Sequence, residues 1–87
     1  MPSDDSVHEN VISKEIVDAA YKIHTKLGPG LLESVYEVVL AHELKNRGLH
    51  AQRQAPVPIV WEDIQFEEGY RLDLIVGKKV LVEIKSV

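Results

Sequence analysis

The sequence predicts an α+β domain: two N-terminal helices packed on a three-stranded antiparallel sheet, in the order α-α-β-β-β. Three observations carry this. Apolar residues recur every three or four positions up to about residue 46. From residue 49 the period shortens to an alternation, the mark of strands. Glycine or Gly-Pro punctuation at 27–30, Gly48, Gly69 and Gly77 separates the periodic runs. With 87 residues there is room for one core only. Residues 1–10, "MPSDDSVHEN", read as a polar tail, and 11–87 as a single domain.

The first helix runs to about Leu27, with Ile16, Val17, Ala20, Ile23 and Leu27 forming its apolar face. Ser13 is a good N-cap and Ile12 a staple for Val17, while the earlier "SVHE" is a second capping box. The start therefore lies between Ser6 and Ser13. "LGPG" ends the helix, because Gly28 tolerates the C-cap conformation and Pro29 cannot extend the hydrogen-bond ladder. A second helix, about 31–46, stops at Gly48. Its apolar arc runs from Val38 and Leu31 through Val35, Val39, Leu32 and Tyr36 to Leu40 and Leu44. Glu33 and Glu43 fall inside this arc, whereas Glu37 and Lys45 fall outside it. A first-turn glutamate also complements the helix dipole, so Glu33 has two explanations.

"LHAQRQAPVPIVW" alternates loosely, and Pro56 and Pro58, two apart, mark an edge strand. Glu62-Asp63 is the expected turn, Gly69 a bulge or bend, and strands follow at about 69–76 and 79–86. The apolar pattern sets the register of the last hairpin. Burying Tyr70, Leu72, Leu74 and Val76 together with Val80, Val82 and Ile84 places Val76 opposite Val80, Leu74 opposite Val82 and Leu72 opposite Ile84. Asp73 then falls opposite Glu83 on the other face, Ile75 opposite Leu81 and Arg71 opposite Lys85. A two-residue Gly77-Lys78 turn would split the apolar sets, so a three- or five-residue loop is expected.

Two carboxylates opposite each other, roughly 5 Å apart at Cβ, repel. A divalent cation between them reverses the sign of the interaction. The competing reading is a solvated hairpin face on which Arg71 and Lys85 neutralise the acids. Ile75 and Leu81 on the same face argue that it is half covered, with the helices as the expected cover, which makes acids there costlier.

Composition narrows the classes. The apolar fraction is 45% and the mean hydropathy −0.09, those of a globular chain. No cysteine is present, which excludes disulfides and thiolate metal sites and fits a reducing compartment. No apolar run is long enough for a bilayer and the N-terminus does not read as a signal peptide, so the expectation is cytoplasmic, with no membrane partner. A net charge of −4 weighs against a dedicated nucleic-acid binder. It leaves room for an enzyme that meets phosphates through a local patch and a cation.

"GLLESVY" (30–36) has the form G-x-x-E-x-x-Y, and Asp73, Glu83 and Lys85 have the form D-x9-E-x-K. With "LGPGLLESVYE", "GYRLDLIV" and "VEIKSV", from about Asn10 to the last residue, the chain resembles the small bacterial and archaeal GxxExxY proteins, placed in the PD-(D/E)XK nuclease superfamily. The resemblance implies a restriction-endonuclease-like core. It makes Asp73, Glu83, Glu33 and the main-chain carbonyl of Ile84 ligands of Mg²⁺ or Mn²⁺, with Lys85 orienting the attacking water and Asp73, Glu83 and Lys85 the catalytic set. Tyr36 is read as packing and His24 as a surface or satisfied histidine. Arg53, Arg71, Lys78 and Lys79 either hold a phosphate backbone, DNA or RNA, or are solvated.

Relatives of this type usually continue into a helix with a Gln-x-x-x-Tyr motif and further strands. By that comparison the chain is expected to be a short form or a fragment, with its sheet partly uncovered. The functional expectation is a Mg²⁺-dependent nuclease core. The alternative is a non-catalytic interaction or oligomerisation domain that keeps the fold, meeting a second copy or a protein partner through the exposed sheet.

Overall fold

The computed structural model describes residues 8–85. Two helices, α1 (Glu9–Leu27) and α2 (Glu33–Asn46), precede three strands, β1 (Ala51–Trp61), β2 (Ile64–Val76) and β3 (Val80–Val82), which form one antiparallel sheet in the order β1-β2-β3. The α-α-β-β-β arrangement agrees with the sequence. The Cα trace is only 17 Å thick in its shortest dimension, enough for one layer of helices on one sheet. Most of the expected polar tail, residues 1–7, and residues 86–87, the first of them the end of the last expected strand, lie outside the described residues.

Helix α1 starts at Glu9, within the expected window, but its cap is His8 rather than a serine: Nδ1 accepts the N–H of Asn10 at 3.0 Å. Its buried stripe is Ile12, Ala19 and Ile23, joined by the partly buried Ile16. The predicted face is therefore corrected by a rotation. Val17 and Leu27 are 66% and 52% exposed, because the 12/16/19/23 row is the one that packs into the core shared by α2 and the sheet.

Helix α2 begins at Glu33, two residues later than expected. It ends in a Schellman motif at Gly48, φ 83°. The Gly48 N–H donates to the Lys45 carbonyl at 2.9 Å and the Leu49 N–H to that of Leu44 at 3.0 Å, with both leucines buried. Leu40 and Leu44 anchor the helix in the core. Glu37, expected on the outside, is instead 5% exposed. Its carboxylate accepts both bonds from Gln54 Nε2, at 3.0 and 3.1 Å, and pairs with Arg53 Nε at 3.4 Å. Gln54 reaches it from an edge strand at φ 52°, a left-handed backbone that breaks the alternation of β1.

Strand β1 is the edge strand its prolines require, and its hairpin turn is Glu62-Asp63. Strand β2, however, starts at Ile64 rather than near residue 69, because 64–66 are held by pairing to β1 and not by burial. The register shifts between Val57↔Tyr70 and Ile59↔Phe66, the irregularity anticipated at Gly69. A Cβ on Gly69 would stand 2.6 Å from Ile59 Cγ1, so no larger residue fits without movement.

The second hairpin has the predicted register: Val76↔Val80, Ile75↔Leu81 and Leu74↔Val82. Gly77, Lys78 and Lys79 form its three-residue loop. Gly77 and Lys78 both take left-handed φ, 60° and 59°, and the Lys79 N–H closes the turn on the Val76 carbonyl at 3.1 Å. Glycine comes first because both central positions of this turn need φ > 0. Leu74, Val76, Val80, Val82 and Ile84 join the helical core residues in one cluster. The helices thus cover this face. The opposite one, expected to be half covered by them, carries Leu81 at 62% exposure.

Candidate functional site

The β2–β3 ladder stops at Leu74↔Val82. Continuing its register by one residue sets Asp73 across from Glu83, where regular pairing is replaced by a side-chain bond. The Ile84 N–H donates to Asp73 Oδ2 at 2.8 Å. Asp73 is half-buried, and Glu83 and Lys85 are exposed. Released from strict alternation, Val82, Glu83, Ile84 and Lys85 all line one cavity of about 510 Å³. Its opposite wall comes from α1 through Ile16, Ala20 and His24, from the Gly28-Pro29-Gly30 loop, and from Glu33 and Tyr36 of α2.

Four of the five predicted site residues, Glu33, Glu83, Ile84 and Lys85, therefore share one cavity. Asp73 is not among its lining and joins the site through the Ile84 N–H. Glu33 is exposed in the first turn of α2, where it complements the dipole. Tyr36 behaves as packing. Its Oη donates to the Ala20 carbonyl at 3.3 Å, tying α2 to α1, and burial pushes its pKa up. His24, read from the sequence as a surface or satisfied residue, is exposed and lines the cavity.

Tyr70 is the residue the sequence reading missed. The apolar pattern placed it with Leu72 and Leu74, yet its Oη donates to Glu83 Oε1 at 3.0 Å. Hydrogen bonding to Glu83, the charge of that carboxylate, slight burial and the charge of Asp73 together hold the phenol above its ordinary pKa. Its signal was a hydroxyl in an otherwise aliphatic row, since a tyrosine tip seeks a polar partner.

The basic residues are mostly engaged. Arg53 pairs with Glu37, and Arg71 Nη2 meets Glu68 Oε2 at 2.8 Å. Lys78 and Lys79 also have partners. Away from the cavity, Glu43 takes Lys22 Nζ at 3.1 Å and Arg47 Nε at 3.0 Å, which clamps α1 to α2 and lowers the Glu43 pKa, the Arg47 bond contributing most.

The donor set is one of hard oxygens, the kind that Mg²⁺ and Mn²⁺ prefer. Among the described residues, no three His, Cys, Asp or Glu side chains converge closely enough to hold a metal as they stand. Asp73 Oδ2 takes the Ile84 N–H and Glu83 Oε1 the Tyr70 hydroxyl, so each carboxylate keeps an oxygen for a hard cation, although the acidic side chains are not gathered around one point.

The family comparison decides what kind of site this is: the family model of the PD-(D/E)XK nuclease superfamily matches residues 10–87. The chain belongs to that superfamily. Nearly the whole domain is covered, including both helices, the hairpin and the E-x-K run. Membership supports a nuclease-like function and, in general terms, nucleic acid as partner and divalent metals as cofactors. No curated protein and no solved structure matches the chain. No helix among the described residues is long and apolar enough to cross a membrane.

Proposed function

We propose that this PD-(D/E)XK domain is the core of a Mg²⁺- or Mn²⁺-dependent nuclease of the GxxExxY type that hydrolyses phosphodiester bonds. The observation that carries this is the shared cavity. Glu33 enters it from the start of α2 and Glu83, Ile84 and Lys85 from the end of the sheet, although fifty residues separate Glu33 from Glu83 in the chain.

In this reading the carboxylates of Glu33, Asp73 and Glu83, with the main-chain carbonyl of Ile84, would hold the cation. When bound, the cation supplies a water nucleophile at neutral pH and neutralises charge developing on the phosphate. Lys85 orients that water through its ammonium donors. The Ile84 N–H fixes one oxygen of Asp73 and leaves the other for the site. Ile16, Ala20 and Leu40 give the cavity an apolar wall.

The test is a Mg²⁺ or Mn²⁺ titration followed by amide NMR shifts, joined to a nuclease assay on DNA and RNA. The expected result is perturbation centred on Asp73, Glu83 and Ile84, with cleavage abolished by Glu83→Ala and Lys85→Ala. Silent amides there sink the metal site, and unchanged cleavage by both variants sinks the catalytic assignment.

The second reading, a non-catalytic interaction domain, is favoured by one observation: the carboxylates do not converge as they stand. It expects a stable dimer or a protein complex formed through the exposed sheet around Leu81, 62% exposed. A chain that stays monomeric in solution, binds no protein and cleaves nucleic acid rejects it.

A further inference from the structure

The Glu83 carboxylate that the metal-dependent reading makes a ligand is already held by a protein group. Tyr70 Oη donates to Oε1 at 3.0 Å. Tyr70 is 49% exposed, so burial of its ring does not account for that position. It sits next to the register shift of the first hairpin, where Val57↔Tyr70 is the last regular pair before Ile59↔Phe66. Its long side chain reaches from that position to the Glu83 carboxylate beyond the end of β3. A carboxylate has about four acceptor sites, so one hydroxyl on Oε1 leaves most of its capacity for a cation. Asp73 has a matching arrangement, with Oδ2 taken by the Ile84 N–H at 2.8 Å. Each of these two carboxylates is thus held by one neutral donor. Neutral donors fix orientation without cancelling the charge that attracts a metal.

We propose that Tyr70 is a positioning residue for Glu83, its hydroxyl orienting the carboxylate from the outer shell of a divalent-cation site. This rests on the metal-dependent reading above. It adds a residue that carries none of the chemistry and touches no cation. Outer-shell partners of this kind typically set metal affinity by about 10- to 100-fold.

The experiment compares the full chain with Tyr70→Phe, which keeps the ring and removes only the hydroxyl, and with Tyr21→Phe as control. Tyr21 lies on α1 at 74% exposure, outside the cavity lining. Circular dichroism checks that the fold is kept, and Mg²⁺ affinity is measured by calorimetry and by amide shifts at Glu83 and Ile84. The expected result is wild-type affinity for Tyr21→Phe and a loss of about tenfold or more for Tyr70→Phe. The Glu83 amide should then follow a weaker titration curve, a change that a purely structural tyrosine would not produce. Mg²⁺ bound by Tyr70→Phe as tightly as by wild type, or more tightly, overturns the assignment of Tyr70 alone. A wild type that binds no Mg²⁺ overturns the metal reading itself and this assignment with it.

Discussion

Asp73→Asn separates two opposed forces on one carboxylate. Its Oδ2 accepts the Ile84 N–H at 2.8 Å. A bond to a charged acceptor contributes about 1.5–3 kcal/mol and a neutral one about 0.5–1.5, so an amide oxygen in the same place forfeits about 1 kcal/mol. Against this stands the repulsion from Glu83 across the hairpin. Even at the roughly 5 Å of a directly opposite pair it is at most about 1 kcal/mol in a water-like dielectric. That limit applies because Glu83 is exposed and Asp73 only half-buried. The two terms nearly cancel, and without metal the variant should match the wild type to within about 0.5 kcal/mol, a melting shift under about 4 °C. Mg²⁺ breaks the tie. At ten times its Kd it should stabilise the wild type by about 1.4 kcal/mol, raising the melting temperature by about 6–11 °C. Less than half of that rise is expected for the variant, which has lost a charged ligand. Scanning calorimetry with and without Mg²⁺ reads both numbers. A metal-free loss above about 2 kcal/mol would show that no repulsion opposes the bond. An undiminished Mg²⁺ response would remove Asp73 from the ligand set.

Three further outcomes follow from the packing. Glu37→Ala strands Gln54 Nε2 and Arg53 at the α2–β1 contact. Because the Arg53 side chain is 45% exposed and can be rehydrated, the loss in urea denaturation should be about 1–3 kcal/mol rather than more. Gly69→Ala places a methyl group against Ile59 and should cost about 1–3 kcal/mol. Ile59→Ala in the same chain should recover part of it, and strict additivity of the two changes would rule out the clash. Glu43 has a folded pKa lowered from 4.5, chiefly by Arg47. Its stabilisation should therefore be present above pH 4.5 and vanish as pH falls through the lower folded value. Urea midpoints of wild type and Glu43→Gln should differ near neutrality and converge in acid, whereas a constant gap would refute the linkage.

The parts of the fold legible in the sequence were those governed by apolar area. Leu72, Leu74 and Val76 could meet Val80 and Val82 in only one register, and a one-residue slip would have turned them all to water. That register also set Asp73 toward Glu83. What stayed hidden was decided by polar contacts between distant segments. Glu37 looks outward on a helical wheel. It is buried because Gln54, in a left-handed conformation that only neighbouring structure can impose, supplies both of its oxygens with a donor. The row of α1 that faces the core could not be chosen from α1 alone, since two adjacent rows are nearly equally apolar and the sheet selects between them. The start of β2 escaped because Ile64 and Phe66 are 53% and 51% exposed, so pairing rather than burial makes that stretch a strand.

The end of the β2–β3 ladder is where the fold shapes the candidate site. Had pairing continued past Val82, Glu83 and Lys85 would project from the face of the sheet away from the helices, out of reach of Glu33. Asp73 prevents this by taking the Ile84 N–H on its side chain. The backbone of 83–85 is then free to leave the sheet register and present Glu83, Ile84 and Lys85 to the cavity beside α2. One aspartate thus has two separable roles, a proposed ligand and the stop that shapes the site. Asn keeps the second role and weakens the first. Alanine loses both, and Asp73→Ala should displace the Glu83 and Lys85 amide resonances even without metal. Unmoved Glu83 and Lys85 resonances in that variant would mean that the ladder ends at Val82 for a reason other than Asp73.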